Sequence, residues 1–244
     1  MMRLVPAILA AATILAAADL GESPVTQLTA RMAQMDRERL KSLEHYTGMQ
    51  HYVLNNKRFK THAEMTVRVV YASGGKKEFQ VLSESGSEWV RKYVFRKLIR
   101  AEQENAQGAA HKQSRIAPEN YDFRLIGMET ANGRPCYLLD ATPRTKNKYL
   151  FRGRVWVDAE DAAVARVEGS PAQSLSFWTP SVHFVHQYEK VGPFWLAASN
   201  VSQTDVRIFG STELKVEYSD YVINAGAAHQ DSPHAAAGSV FTHP

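Results

Sequence analysis

The feature that most constrains the fold is a long succession of strand-like runs in the C-terminal half of the chain, from Tyr121 to Ile223. Short turn sequences separate the runs, among them Asn132-Gly133, Val191-Gly192-Pro193 and Gly210-Ser211. Consecutive strands with short turns form an antiparallel meander, and one domain can bury a face of so many strands only if the sheet curls strongly. The sequence therefore predicts a mainly β protein with helices, of the α+β class, built on a strongly curved antiparallel sheet.

The N-terminal half predicts helices around a shorter group of strands. Ser23 is a suitable N-cap and Pro24 a suitable first residue for an amphipathic helix that ends near Leu43. A second helix is predicted from Glu88 to Gln107. The run from Asn105 to Pro118 is rich in Ala, Gln, Gly and Ser, which predicts a surface loop; a mobile covering segment is the alternative. Between the two helices, period-two alternation predicts three strands: Tyr46 to Leu54, Ala63 to Tyr71 and Lys77 to Glu84.

The two ends of the chain differ in composition from the central part. Residues 1–18 combine a positive Arg3, an apolar run and three alanines, which is typical of a cleavable signal peptide; an uncleaved anchor is the alternative. Residues 19–224 form the predicted domain. Residues 225–244 are rich in Ala, Gly, Ser, Pro and His and are predicted to be disordered. We therefore expect a protein exported to the periplasm.

The charge balance gives no indication of nucleic-acid binding. There are 29 basic and 25 acidic residues, and the net charge of +4 is too small to indicate nucleic-acid binding. One helical run has five basic residues and no acidic one, which indicates either a solvated helix face or peripheral contact with anionic lipid head groups. Its basic residues are Arg91, Lys92, Arg96, Lys97 and Arg100.

The motifs of catalysis and cofactor binding are missing from the sequence. There is no Gly-x-Ser-x-Gly elbow and no glycine-rich phosphate loop. His183 and His186 are three residues apart on a predicted strand, so their side chains point to opposite faces and do not form a metal site. Cys136 is the single cysteine and is predicted to be a small buried residue. We predict a protein that is not an enzyme and has no metal and no cofactor.

Aromatic residues are concentrated in the C-terminal half. They either fill a packed core or line an apolar pocket on a curved sheet closed by helices. The sequence leaves both interpretations open. The set comprises Tyr149, Phe151, Trp156, Phe177, Trp178, Phe184, Tyr188, Phe194, Trp195, Phe209, Tyr218 and Tyr221.

The segment from Lys148 to Glu168 predicts a strand, an acidic turn and a second, antiparallel strand. Its Gly-x-Val-Trp-Val-Asp pattern, from Gly153 to Asp158, and its final Arg166-x-Glu168 resemble a hairpin of LolA/LolB-like periplasmic lipoprotein carriers. The order of elements is also similar to that family. The resemblance implies an incomplete barrel with helices across its open side, which binds acyl chains without catalysis. The chain lacks the lipidated N-terminal cysteine of LolB-type acceptors, and Arg68 lacks the proline that accompanies the functional arginine of the carriers.

The predicted function is that of a lipid or lipoprotein carrier, with a role in outer-membrane lipoprotein sorting. The alternative is an RseB-like sensory or scaffold module that binds an envelope protein partner. A register error of one residue would invert the two faces of each strand, so either face could line the pocket. The residues predicted to contact acyl chains are Met32, Met35, Met65, Val67, Val69, Val155, Val157 and Leu214.

Overall fold

The computed structural model describes residues 23–173, 181–206 and 210–224. The predicted signal segment and the C-terminal tail lie outside the described residues, as do Phe177, Trp178 and Phe209.

All the described strands belong to one ten-stranded sheet in which neighbouring strands are antiparallel. The strand order is β3-β2-β1-β10-β9-β8-β7-β6-β5-β4, so the first and last strands of the chain pair inside the sheet and the edges are β3 and β4. The two edges do not pair with each other, which confirms the predicted incomplete antiparallel barrel. The strands are β1 (His45–Asn56), β2 (Thr61–Ala72), β3 (Lys76–Gly86), β4 (Tyr121–Ala131), β5 (Arg134–Pro143), β6 (Phe151–Asp158), β7 (Val164–Pro171), β8 (Ser181–Val191), β9 (Phe194–Val206) and β10 (Gly210–Ile223).

Helices occupy the two segments predicted from the sequence. Helix α1 (Pro24–Ser42) begins at Ser23, whose hydroxyl accepts a hydrogen bond from the Thr26 amide. The second helical segment consists of α2 (Glu88–Val90), a π-helical turn (Arg91–Phe95) and α3 (Arg96–Asn105). The predicted loop after it was wrong in part, because it contains α4 (Gly108–Ser114). The Ala and Gln residues taken as signs of a loop are good helix formers.

The helices pack on one face of the sheet, called here the helix-covered face. At one side, Met32 of α1 packs against Leu139, Val155 and Val157 of β5 and β6. At the other side, Phe95 of the π-helical turn packs with residues of β1 and β2, among them Met65. Phe184 and Tyr188 of β8 and Val216 of β10 reach the margins of these cores, and a space remains between the two cores over β8, β9 and β10.

The turn of the predicted hairpin is fixed by Asp158, whose side chain is fully buried at the end of β6. Its Oδ1 accepts hydrogen bonds from the amides of Glu160 (3.1 Å) and Asp161 (2.8 Å). Arg134 binds both carboxylate oxygens. Burial by itself opposes ionisation of Asp158, but these hydrogen bonds outweigh it and hold the pKa of Asp158 below its ordinary value. The aspartate that ends the Val-Trp-Val-Asp pattern is therefore a structural residue.

Candidate functional site

A cavity of about 850 Å³ lies between the helix-covered face and the helices, over β8, β9 and β10. Its volume falls within the range of about 300–1,000 Å³ that is usual for small-molecule sites. Aliphatic and aromatic side chains form most of its wall. These are Leu40, Leu43, Leu98, Phe184, Trp195, Leu196, Val182, Leu214, Val216 and the tyrosines at 46, 52, 71, 188, 218 and 221.

The cavity exists because several inward positions of the central strands carry small polar side chains. Ser202 of β9 lies opposite Phe184 of β8 and Leu214 of β10, and Asn200 lies opposite His186 and Val216. A serine and an asparagine project too little to reach the helices, whereas the corresponding positions of β5 and β6 hold large apolar residues that contact α1. The space over the centre of the sheet therefore stays unfilled.

One wall of the cavity contains a charged pair that ties α3 to the sheet. Lys77 Nζ of β3 lies 2.7 Å from Glu102 Oε1 of α3, and both side chains are largely buried. Gln50 of β1 donates a hydrogen bond of 3.1 Å to the same carboxylate oxygen, and it accepts one of 2.6 Å from the Tyr52 hydroxyl. Burial opposes the charge of Lys77, but Glu102 outweighs it, so the pKa of Lys77 lies above its ordinary value. The two charges cancel, so the pair leaves no net charge on this wall.

His186 lies near the middle of the cavity, between two tyrosine rings. Its ring stacks on Tyr188 with centroids 4.5 Å apart, and Tyr218 lies on a similar plane at 6.2 Å. Burial lowers the pKa of His186 to about 4, so the imidazole is neutral at pH 7. His183 is half exposed beside Glu168, away from the cavity. The two histidines therefore face opposite sides of β8.

We expect the substitution Glu102→Gln to lower the free energy of unfolding by about 2 kcal/mol, because it leaves the buried Lys77 ammonium without its counter-charge. Urea unfolding followed by circular dichroism measures the loss. Glu104→Gln is the matched control, since Glu104 is exposed two residues further along the same helix. An equal effect of both substitutions would show that the pair does not hold α3.

The eight residues predicted to contact acyl chains do not form one site. Leu214 lines the large cavity, and Met32 lines a smaller one of about 290 Å³ beside it. The other six do not line either cavity. Met65 and Val67 lie in the core under α2 and the π-helical turn, Val155 and Val157 in the core under α1, Val69 in a third core, and Met35 is half-buried on α1.

The aromatic residues divide between the two interpretations that the sequence left open. Phe151, Trp156 and Phe194 belong to packed cores. Phe184 and Trp195 line the cavity, as do Tyr188, Tyr218 and Tyr221.

Sequence reasoning did not single out Gln50, Lys77 or Glu102. A signal was present for two of them, because Gln50 and Lys77 occupy inward positions on strands whose other inward residues are mostly apolar. Glu102 gave no such signal, because it lies among other charged residues at the end of a predicted helix.

The basic run on the second helical segment is partly neutralised. Arg91 and Arg96 bind the two oxygens of Glu84 at 2.7 and 3.0 Å. Lys92, Lys97 and Arg100 are exposed. A contact of this run with lipid head groups, which the sequence left open beside a solvated helix face, would therefore involve fewer unpaired charges than five.

Two further observations concern the part of the chain that the structure describes. Residues 23–173, 181–206 and 210–224 contain no group of three or more His, Cys, Asp or Glu side chains arranged to hold a metal ion. Over the same ranges, no helix is long and apolar enough to cross a membrane.

The fold is therefore an open antiparallel sheet with helices over one face and a cavity between them. One similar solved structure is a putative outer-membrane lipoprotein-sorting protein domain from Vibrio parahaemolyticus, with 15% identity and a TM-score of 0.48 over 84% of this chain and 96% of that chain. A DUF1329 family protein from Desulfovibrio piger has 14% identity and a TM-score of 0.44, over 84% of this chain and 95% of that chain. A LolA superfamily protein from Nitrosomonas europaea has 8% identity and a TM-score of 0.44, over 79% of this chain and 92% of that chain. The resemblance predicted from the sequence agrees with these matches. At such identities and TM-scores, none of them transfers a function to this chain. No family model and no curated protein sequence matches the chain.

Proposed function

We propose that the protein is a carrier in the cell envelope that holds the acyl chain of a lipid or lipoprotein in the large cavity and does not change it chemically. The observation that carries the proposal is the cavity itself, which has room for a small-molecule ligand and a largely apolar wall. The envelope location rests on the signal sequence predicted in residues 1–18.

The wall of the cavity supports an apolar cargo. Leu98, Phe184, Leu214 and Val216 surround one part of it, and an acyl chain there would be removed from water. Burying about ten methylene groups at about 0.8 kcal/mol each would supply about 8 kcal/mol before the costs of association. A gain of this size exceeds the lower end of the association cost of about 4–15 kcal/mol, so it supports weak, reversible binding.

The polar part of the wall supports a neutral head group at the cavity. The ionic groups Lys77 and Glu102 neutralise each other, and His186 is uncharged at pH 7. A phosphate or carboxylate placed there would compete with Glu102 for Lys77 and leave one anion unpaired. Hydroxyl, ester and amide groups avoid that cost.

The test is native mass spectrometry, with lipid extraction, of protein recovered from a periplasmic fraction without detergent. We expect a stoichiometric mass shift that extraction resolves into a lipid or an acylated peptide. A protein that carries no lipid and also resists loading with monoacylglycerols, fatty acids and lysolipids would refute the carrier proposal.

A further inference from the structure

One end of the sheet brings together two segments that are far apart in sequence, and we call this surface the aromatic end. It consists of residues 57–60, which form the turn between β1 and β2, and residues 89–93 at the start of the second helical segment. The amide of Ser87, the cap of α2, donates a hydrogen bond of 2.8 Å to the carbonyl oxygen of His62 near the start of β2. The two segments therefore lie at the same end of the sheet.

The aromatic end exposes three large rings. Trp89 is 65% exposed, Tyr93 54% and Phe59 51%, and they are the most exposed aromatic residues in the part of the chain that the structure describes. The rings of Trp89 and Tyr93 contact each other with centroids 5.8 Å apart. Exposed tryptophan and tyrosine side chains of this kind are typical of surfaces that reach the boundary between water and lipid.

Basic side chains surround these rings. Lys57, Arg58, Lys60 and Lys92 are all exposed, and none of them forms an ion pair within residues 23–173, 181–206 and 210–224. The Arg58 guanidinium lies 5.9 Å from the centre of the Phe59 ring, and Lys92 Nζ lies 5.3 Å from that of Tyr93. The two segments contain no acidic residue. Positive charge and aromatic surface therefore coincide.

We propose that the aromatic end docks on an anionic lipid bilayer. The rings would enter the head-group region while the lysines and Arg58 contact lipid phosphates, and neither effect alone would give stable attachment. This interaction goes beyond the proposed carrier function, because it involves residues outside the cavity. It also directs one end of the cavity to the bilayer, since Arg58 lies against Gly210, four residues before the cavity residue Leu214.

The experiment is cosedimentation of protein from a periplasmic fraction with vesicles of phosphatidylcholine alone or of equimolar phosphatidylcholine and phosphatidylglycerol. We expect binding to the phosphatidylglycerol vesicles only, and a decline as salt is added. The double substitution Trp89→Ser with Tyr93→Ser should weaken this binding at least about tenfold. The double substitution Lys60→Glu with Lys92→Glu should weaken it by a similar factor.

Two controls match these changes at distant positions. Met128→Ser alters a residue that is 58% exposed on the edge strand β4, and Lys41→Glu reverses an exposed charge near the end of α1. Both should leave vesicle binding unchanged. Native mass spectrometry of all variants reports cavity loading separately. Equal binding to both kinds of vesicle, no binding to either, or no effect of the paired substitutions would overturn the proposal. In the last case, another surface of the protein would make the membrane contact.

Discussion

Replacing Ser202 with tryptophan is expected to lower lipid loading at least about tenfold while the protein remains folded. Ser202 is a small side chain on the cavity wall, between Phe184 and Leu214 on the adjacent strands. An indole there would project into the empty space and occupy the volume that an acyl chain needs. Because the cavity is large, the new ring fits without displacing the strands.

The neighbouring residue supplies the control for this experiment. Gln203 is exposed on the opposite face of β9, so Gln203→Trp adds the same side chain outside the cavity. Loading of a monoacylglycerol, measured by native mass spectrometry, should be lost in the first variant and kept in the second. If Ser202→Trp still loads as the unmodified protein does, the lipid is held elsewhere and the cavity is not its site.

Replacing Gly153 with alanine is expected to lower the free energy of unfolding by about 3 kcal/mol. Gly153 of β6 pairs directly with Gly169 of β7. A Cβ atom at Gly153 would overlap the carbonyl oxygen of Glu168 and would lie 2.6 Å from the Gly169 Cα. Both obstacles are backbone atoms, so relief requires the two strands to separate.

Gly127→Ala is the matched control for this prediction. Gly127 lies on the edge strand β4, and a Cβ atom there would have no neighbour within 4 Å. Urea unfolding should place the control within about 0.5 kcal/mol of the unmodified protein. A similar small effect for Gly153→Ala would mean that β6 and β7 can separate at this point without loss of packing.

The alternation of apolar residues predicted which side chains share a face, because strand geometry repeats every two residues. Met65, Val67 and Val69 lie on the helix-covered face together, and so do Val155 and Val157. Turn chemistry likewise located the hairpins, since Asn132 and Gly133 both adopt positive φ between β4 and β5.

Alternation could not predict which inward positions border empty space. That depends on where the helices lie, and α1 and the π-helical turn pack over the two sides of the sheet but not over its centre. The charged pair in the cavity wall could not be predicted either, because Lys77 and Glu102 are 25 residues apart and meet only after α3 packs on the sheet. The partners of the basic run were missed for the same reason, since Glu84 belongs to the preceding strand.

Because β1 pairs with β10, the sheet can be completed only late in folding. Residues 45–56 pair with residues 210–223, so the β1–β10 pairing has the longest loop to close. A chain that folds as it is synthesised from its N-terminus cannot form this pairing until its last strand is available. The walls of the cavity come from both sides of the pairing, since Gln50 lies on β1 and Leu214 on β10. The cavity is therefore complete only after the last strand has joined the sheet.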